Sequence, residues 1–342
     1  MKKYILAIII CILFCGCQMH KKNDMAEIQM FAMDTFIDLK AQGENGEKAL
    51  LEAEKEINRL ERLFSTTMEQ SEIFAVNQYA AKQPVSVSQD TFDLIEKAKE
   101  YYSITEGAFD ITIAPVVKAW GFTEEVKRVP SDEEIQQKLQ LVDNNKLHID
   151  KQNSTVYLEN EYMSIDLGGI AKGYASDKVN EILKKNNISS AVISLGGNVS
   201  VTGKRQDGTK WRVAVQDPMN NEGYVGILNV ENTSIITSGV YQRFFEQNGK
   251  KYHHIIDTKT GKPTQNGLLS VTIVCDNGAM ADALSTSVMV AGLQKGSELW
   301  RKLSNFGMIL ITDSNEMYIS EDIVDIFELS DDIEYTVHTI QK

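Results

Sequence analysis

Between Ser164 and Gly203 the chain reads S-I-D-L-G-G-I-A-K-G-Y-A-S-D, continues with a helical pattern, and closes on A-V-I-S-L-G-G-N. A strand ending at Asp166, a glycine turn, a helix and a second strand at Ala191–Leu195 follow one another with almost no linker. This constrains the fold more than any other stretch. Gly168, Gly169 and Gly173 let backbone approach a neighbour closely, and Lys172 sets a positive charge beside them. Gly196, Gly197 and Asn198 repeat the glycine motif at the end of the next strand. An acid, exposed amides and a lysine at a strand-to-helix turn are what a phosphate-bearing ligand needs.

The rest of the chain mixes two periodicities. Ala49–Phe64, Thr91–Tyr102, Ser131–Val142, Ile170–Lys185 and Ala279–Ala291 read as helices. Ser88 is an N-cap candidate, and Ser131 with Glu134 forms a capping-box pattern. Gln29–Lys40 alternates like a strand. Further strands are expected at Thr155–Glu159, Met163–Leu167, Trp211–Gln216, Gly226–Val230, Ser234–Thr237, Ser270–Cys275 and Met308–Thr312. The irregular interleaving and the hairpin-like pairs predict an α+β fold, a mixed and largely antiparallel β core flanked by helices.

The N-terminus is read as a targeting segment and set aside. Lys2 and Lys3 precede an apolar run, Tyr4–Phe14, too short to span a bilayer. Gly16-Cys17 follows. The expected organisation is a lipoprotein signal at 1–16, a tether at 17–28 beginning with lipidated Cys17, and one domain at 29–342. Removing residues 1–16 leaves Cys275 without a partner, so no internal disulfide is expected. The net charge of −13 argues against nucleic acid and against electrostatic docking on a membrane. An anionic ligand then needs local amides, a lysine or a metal.

Several common chemistries are absent. None of the five histidines forms H-E-x-x-H, and there is no C-x-x-C for zinc. Gly168–Gly173 has Walker A spacing, but Tyr174 and Ala175 stand where lysine and a hydroxyl belong. There is no G-x-G-x-x-G and no G-x-S-x-G. Asp282, Ser285 and Thr286 put three hard oxygens on one face of a helix start, suited to Mg²⁺, Mn²⁺ or Ca²⁺, or to hydroxyls that bond back to carbonyls. Asp110, after Gly107-Ala108-Phe109 and before an expected strand, reads as a free carboxylate or an Asx turn. His254 and Asp257 read as a general base with its neighbour, or as a structural pair. Arg243 faces either a diphosphate or a surface acid. Trp120 and Phe122 either flank a flat ring or pack in the core.

Taken in order, these segments resemble the ApbE family of flavin transferases. The resemblance rests on M-D-T at Met33–Thr35, F-S-T through S-E-I to Asn77, and G-A-F-D-I-T-I-A-P-V-V-K-A-W-G-F at Gly107–Phe122. It continues through D-L-G-G-I-A-K-G-Y, L-G-G-N, T-S-G-x-Y-x-R, H-x-x-D-x-x-T-G and A-D-A-L-S-T. The resemblance implies Mg²⁺-dependent cleavage of the FAD pyrophosphate. FMN passes through its phosphate to a threonine of an acceptor flavoprotein with a D-x-x-T-G/A/S motif, and AMP is released. Carried over by position, the metal donors would be the Gly169 carbonyl, Asp282, Ser285 and Thr286. Flavin and adenine contacts would come from Met33, Ala108, Phe109, Asp110, Asp166, Lys172 and Ile256, and the catalytic base would be His254. Asp34, Thr67, Val240 and Thr258 depart from the family pattern, where Gly, Tyr, Asp and Pro are usual. Family members that are lipoproteins face the periplasm, which matches an anchor at Cys17. The competing functions are a periplasmic FAD pyrophosphatase yielding FMN and AMP, and a flavin-binding lipoprotein without turnover.

Overall fold

The computed structural model describes residues 25–122, 124, 126–220 and 222–342. The expected signal, Cys17 and the first part of the tether lie outside the described residues. A nine-stranded sheet runs through the molecule. Its order is Met25–Ala32, Thr35–Gln42, Ser190–Leu195, Asn198–Gly203, Thr233–Gly239, Leu268–Cys275, Gly307–Thr312, Glu316–Ser320 and Thr336–Ile340. Every neighbour is antiparallel except the last pair, Glu316–Ser320 with Thr336–Ile340, which is parallel. This is the mixed, largely antiparallel core that the sequence predicts.

Both faces of the sheet's centre are covered. Val271, Ile273 and Cys275 pack with Ala281, Leu284 and Val288 of the long Gly278–Leu303 helix. One residue out of phase, Val274 faces the opposite way with Ile235 and Ile309, against Val213, Val215 and Leu228 of a small three-stranded sheet. The period of two thus feeds two separate cores from one strand. A third core lies under the first strands, where Leu50, Ala53, Ile57 and Leu60 of the Gly46–Phe64 helix meet Leu39, Ala41, Ala191 and Ile193.

Two expectations are corrected by backbone geometry. Gln29–Lys40 is two paired strands joined at Met33-Asp34, where both residues adopt positive φ (52° and 57°). Neither residue is the glycine that would mark such a turn, which hid it. The first strand also takes in Met25–Ile28, because Ala26, Ile28 and Met30 pack on the core beneath them. Met163–Leu167 is not a strand. Asn77 substitutes for a strand partner, donating its side-chain amide to the Ile165 carbonyl (3.0 Å) and accepting the Ile165 N–H (2.7 Å). The apolar run is buried as expected, but a side chain pairs it rather than a ladder.

Helix starts follow the capping rules. Ser88 accepts from the Thr91 N–H and Ser131 from the Glu134 N–H. The Glu134 carboxylate pairs with Arg128. The Gly278–Leu303 helix outruns its expected end at Ala291. It breaks at Gly292 (φ 83°) and resumes, and Asn266 donates to the Met289 and Val290 carbonyls left free there.

Candidate functional site

Two helix N-termini cross at the heart of the site. Gly173, in the first turn of the Ala171–Lys185 helix, lies against Gly278 at the start of the long helix. A Cβ at Gly173 would run into the Gly278 carbonyl oxygen and come within 2.8 Å of the Asp282 Cβ. The first helix also caps the second, since the Asp177 carboxylate accepts the Gly278 and Ala279 N–H groups (2.7 and 2.9 Å). That burial holds the Asp177 carboxyl above the usual range.

Asp282 sits one turn into the long helix, 4% exposed. Its Oδ2 accepts the Gly173 N–H (2.9 Å) and its Oδ1 the Asn198 side-chain amide (3.0 Å). The Lys172 ammonium lies 3.9 Å from Oδ1 and donates to the Gly168 carbonyl (3.3 Å). Thr286, at i+4, presents its hydroxyl on the same face. A Cβ at Gly169 would lie 3.6 Å from Thr286 Oγ1 and 3.1 Å from Phe109 Cε2, so glycine turn, threonine and aromatic ring meet. Ser285 is fully buried, its hydroxyl held by the Asp282 carbonyl (2.9 Å) and by Ser238 (2.8 Å).

No cluster of three or more His, Cys, Asp or Glu among the described residues can hold a metal. The donors at hand are one carboxylate, hydroxyls and backbone carbonyls, all hard oxygens. Such a set fits Mg²⁺ or Mn²⁺ that keeps waters and takes further ligands from substrate phosphates. It does not suit zinc.

Asp166 lies beside the glycine turn. Its N–H donates to the Ile111 carbonyl (2.9 Å) and its Oδ1 accepts the Gly168 N–H (2.6 Å). Burial raises its pKa above the carboxylate range, opposed by the Gly168 bond and by the charges of Lys172 and Arg243. Asp110 opens a 3₁₀ turn, Ile111–Ile113, that leads into the Ala114–Trp120 helix rather than a strand. Its Oδ1 accepts the Thr112 N–H and hydroxyl (2.8 and 2.7 Å), the geometry of an Asx turn. No hydrogen bond is formed by Oδ2 among the described residues, and burial raises this carboxyl too. Ala108 is half-buried next to the fully packed Phe109.

His254 follows the Lys250–His253 strand. Its Nδ1 faces the Arg243 carbonyl at 3.1 Å. A carbonyl only accepts, so Nδ1 carries the proton and Nε2 keeps its lone pair. Burial pushes the imidazole down to about 4, and the charges of Arg243 and Lys172 act in the same direction. The Arg243 guanidinium in turn donates to the Asp34 carbonyl (2.8 Å), and Glu61 accepts the Met33 N–H (2.7 Å). The Met33-Asp34 turn is therefore held from both sides. Ile256 is buried with Val116, Trp120 and Ile135. Trp120, 2% exposed, donates to the Gly261 carbonyl and so packs beneath the His254–Gly261 loop.

The structure gathers Gly169, Lys172, Asp282, Ser285, Thr286 and Phe109 directly. It brings Met33, Asp166 and His254 to them through Arg243 and Lys172. Ile256 and Ala108 line the surrounding loops. Sequence reasoning missed Asn77, Glu61, Asp177 and Ser238, whose work is to hold backbone and carboxylates in place. Polar side chains carry no periodic signal; Asn77, Asp177 and Ser238 stood inside quoted motifs without an assigned role, and Glu61 stood in none.

The family model for the ApbE family matches residues 33–310. The chain belongs to the ApbE family. Curated relatives include a Klebsiella pneumoniae FAD:protein FMN transferase, 32% identical over 77% of this chain and 82% of its own length. A Vibrio cholerae FAD:protein FMN transferase is 31% identical over 86% and 90%. Among solved structures, the Thermotoga maritima ApbE protein superposes with a TM-score of 0.83 at 29% identity, covering 89% of this chain and 99% of that one. The Vibrio cholerae flavin transferase ApbE gives 0.81 at 27% identity, with the same coverage. The ApbE match spans both halves of the site, from Met33 to Thr286.

Proposed function

We propose that this chain is a Mg²⁺-dependent FAD:protein FMN transferase that moves FMN from FAD to a threonine of an acceptor flavoprotein and releases AMP. The observation that carries the reading is the meeting of Asp282, Thr286, Lys172 and the Gly169 backbone on two crossed helix starts, beside the Phe109-Asp110 turn. Relatives at 31–32% identity named FAD:protein FMN transferases support the transfer of FMN.

Asp282, Thr286 and the Gly169 carbonyl, with Ser285 behind them, would hold the cation. Bound there, it supplies charge neutralisation at the pyrophosphate oxygens. Lys172 adds a fixed positive charge, and amides of the glycine turn donate to phosphate oxygens. Phe109, Ala108, Met33 and Ile256 offer apolar surface for the rings, while Asp110 Oδ2 and Asp166 offer acceptors. The acceptor hydroxyl attacks the phosphorus on the flavin side. Its proton passes to His254 Nε2 as the new O–P bond forms, and the bond to the AMP phosphate breaks. The neutral imidazole, fixed by the Arg243 carbonyl, is in the right state to take that proton. Holding hydroxyl and phosphorus in line supplies most of the acceleration.

The Gly16-Cys17 pattern supports a lipid anchor and a site on the outer side of a bacterial membrane. Among the described residues no helix is long and apolar enough to cross one.

The test is incubation with FAD, Mg²⁺ and an acceptor domain carrying D-x-x-T-G, read by intact mass. An FMN increment on the acceptor threonine with equimolar AMP is expected. FMN and AMP free in solution, with an unmodified acceptor, would instead indicate a pyrophosphatase, and no AMP at all a binding protein.

A further inference from the structure

We infer that Asn198 is a positioning residue that fixes the Asp282 carboxylate for its cation; this rests on Asp282 being a metal donor. Asn198 begins the strand after Gly196-Gly197, whose positive φ angles (62° and 91°) make the two-residue hairpin that pairs Leu195 with Asn198. That register turns a polar side chain inward, 3% exposed, on the face of its strand that also bears Ser200. Its amide N–H donates to Asp282 Oδ1 at 3.0 Å.

The other carboxylate oxygen takes the Gly173 N–H. Each oxygen is therefore pinned by one donor from an opposite element, and the plane of the carboxylate cannot rotate. Each also keeps a lone pair for a cation. An amide does this without charge. An acid at 198 would repel Asp282, and a lysine would add a second positive charge beside the Lys172 ammonium, already 3.9 Å from Oδ1. Donors behind a ligating carboxylate of this kind typically account for 10–100-fold in metal affinity.

The experiment titrates the purified full chain with Mn²⁺ alone, followed by electron paramagnetic resonance, beside thermal midpoints. Asn198→Ala removes the donor; Asn198→Leu removes it while keeping the volume. Ser200→Ala is the packing control: it is equally buried two residues along and bonds Asn180 and Ser234 rather than Asp282. Both Asn198 variants are expected to bind Mn²⁺ about 10–100-fold more weakly, and Ser200→Ala about as tightly as the unaltered chain, whatever their midpoints. Equal affinity in the Asn198 variants, or an equal loss in Ser200→Ala, overturns the inference. Asp282→Ala separates the two levels. If it abolishes binding while the Asn198 variants bind normally, only the role of Asn198 fails; if it binds normally, the reading of Asp282 as a donor fails and takes Asn198 with it.

Discussion

Gly173 and Gly278 face each other across the two crossed helix starts so closely that neither has room for a Cβ. Alanine is the better helix former by about 1 kcal/mol, so Gly173→Ala would stabilise an isolated helix. Here the obstacle is a backbone carbonyl that cannot swing away, and overpacking of that kind costs about 1–3 kcal/mol. Net destabilisation is expected, by up to about 2 kcal/mol once propensity is credited. Urea unfolding measures it; an unchanged midpoint would mean that the helices can slide apart.

Removing the base should separate chemistry from binding. His254→Gln is expected to lower kcat by about 10²–10⁴-fold with little change in the KM for FAD. Burial pushes the imidazole down to about 4, so the base is neutral at all higher pH values. Its contribution to kcat/KM is therefore full above about pH 5 and lost as pH falls through 4. A profile bending near 6.5, the ordinary imidazole value, would show that His254 is solvated in the working enzyme or is not the base.

Asp282→Ala removes the only carboxylate among the proposed donors. Loss of Mg²⁺ assistance is worth several kcal/mol, on the order of 10³-fold in AMP release. Raising Mg²⁺ should not restore the rate. Full activity at high Mg²⁺ would assign the cation to other oxygens.

Asn77→Ala leaves the Ile165 N–H and C=O without the partner that replaces a strand. Unpaired, half-buried backbone groups cost about 1–3 kcal/mol each. A loss of roughly 2–6 kcal/mol is expected by urea unfolding. The KM for FAD should rise too, because Asp166 is the next residue. A loss below about 0.5 kcal/mol would show that water reaches this segment.

The Thr258 hydroxyl donates to the Gly107 carbonyl at 2.7 Å, a bond that proline, the residue the ApbE resemblance implies here, could not make. This ties the His254 loop to the turn carrying Phe109 and Asp110. Thr258→Val keeps the shape and should cost about 1 kcal/mol, read as a lower unfolding midpoint. Stability unchanged by the loss of the hydroxyl would leave the tie without weight.

What the sequence made legible was whatever rests on periodicity and local chemistry. The amphipathic helices, most sheet strands, the Ser88 and Ser131 caps and the α+β class all follow from side-chain patterns a few residues long. Asp282 and Thr286 stood out because i and i+4 share a face. The Met33-Asp34 turn was hidden because non-glycine residues hold positive φ there with outside help from Glu61 and Arg243. Met163–Leu167 looked like a strand because burial and strand pairing leave the same apolar trace. The interruption at Gly292 was read as the end of its helix, since a glycine with positive φ commonly closes one, and the resumption through Leu303 was missed. The pairings of Asp177 with Gly278 and of Asn198 with Asp282 join segments far apart in the chain, which no local pattern records.

The Gly173–Asp282 bond joins residues 109 positions apart. One side of the proposed site is therefore made early in synthesis and lacks its partner until the other side emerges more than a hundred residues later. On the proposed reading, a nascent or truncated chain ending before Thr286 would lack part of the cation's donor set and would not consume FAD. The chain would then stay inactive while it is being made and become competent only once Thr286 and the strands after it can fold.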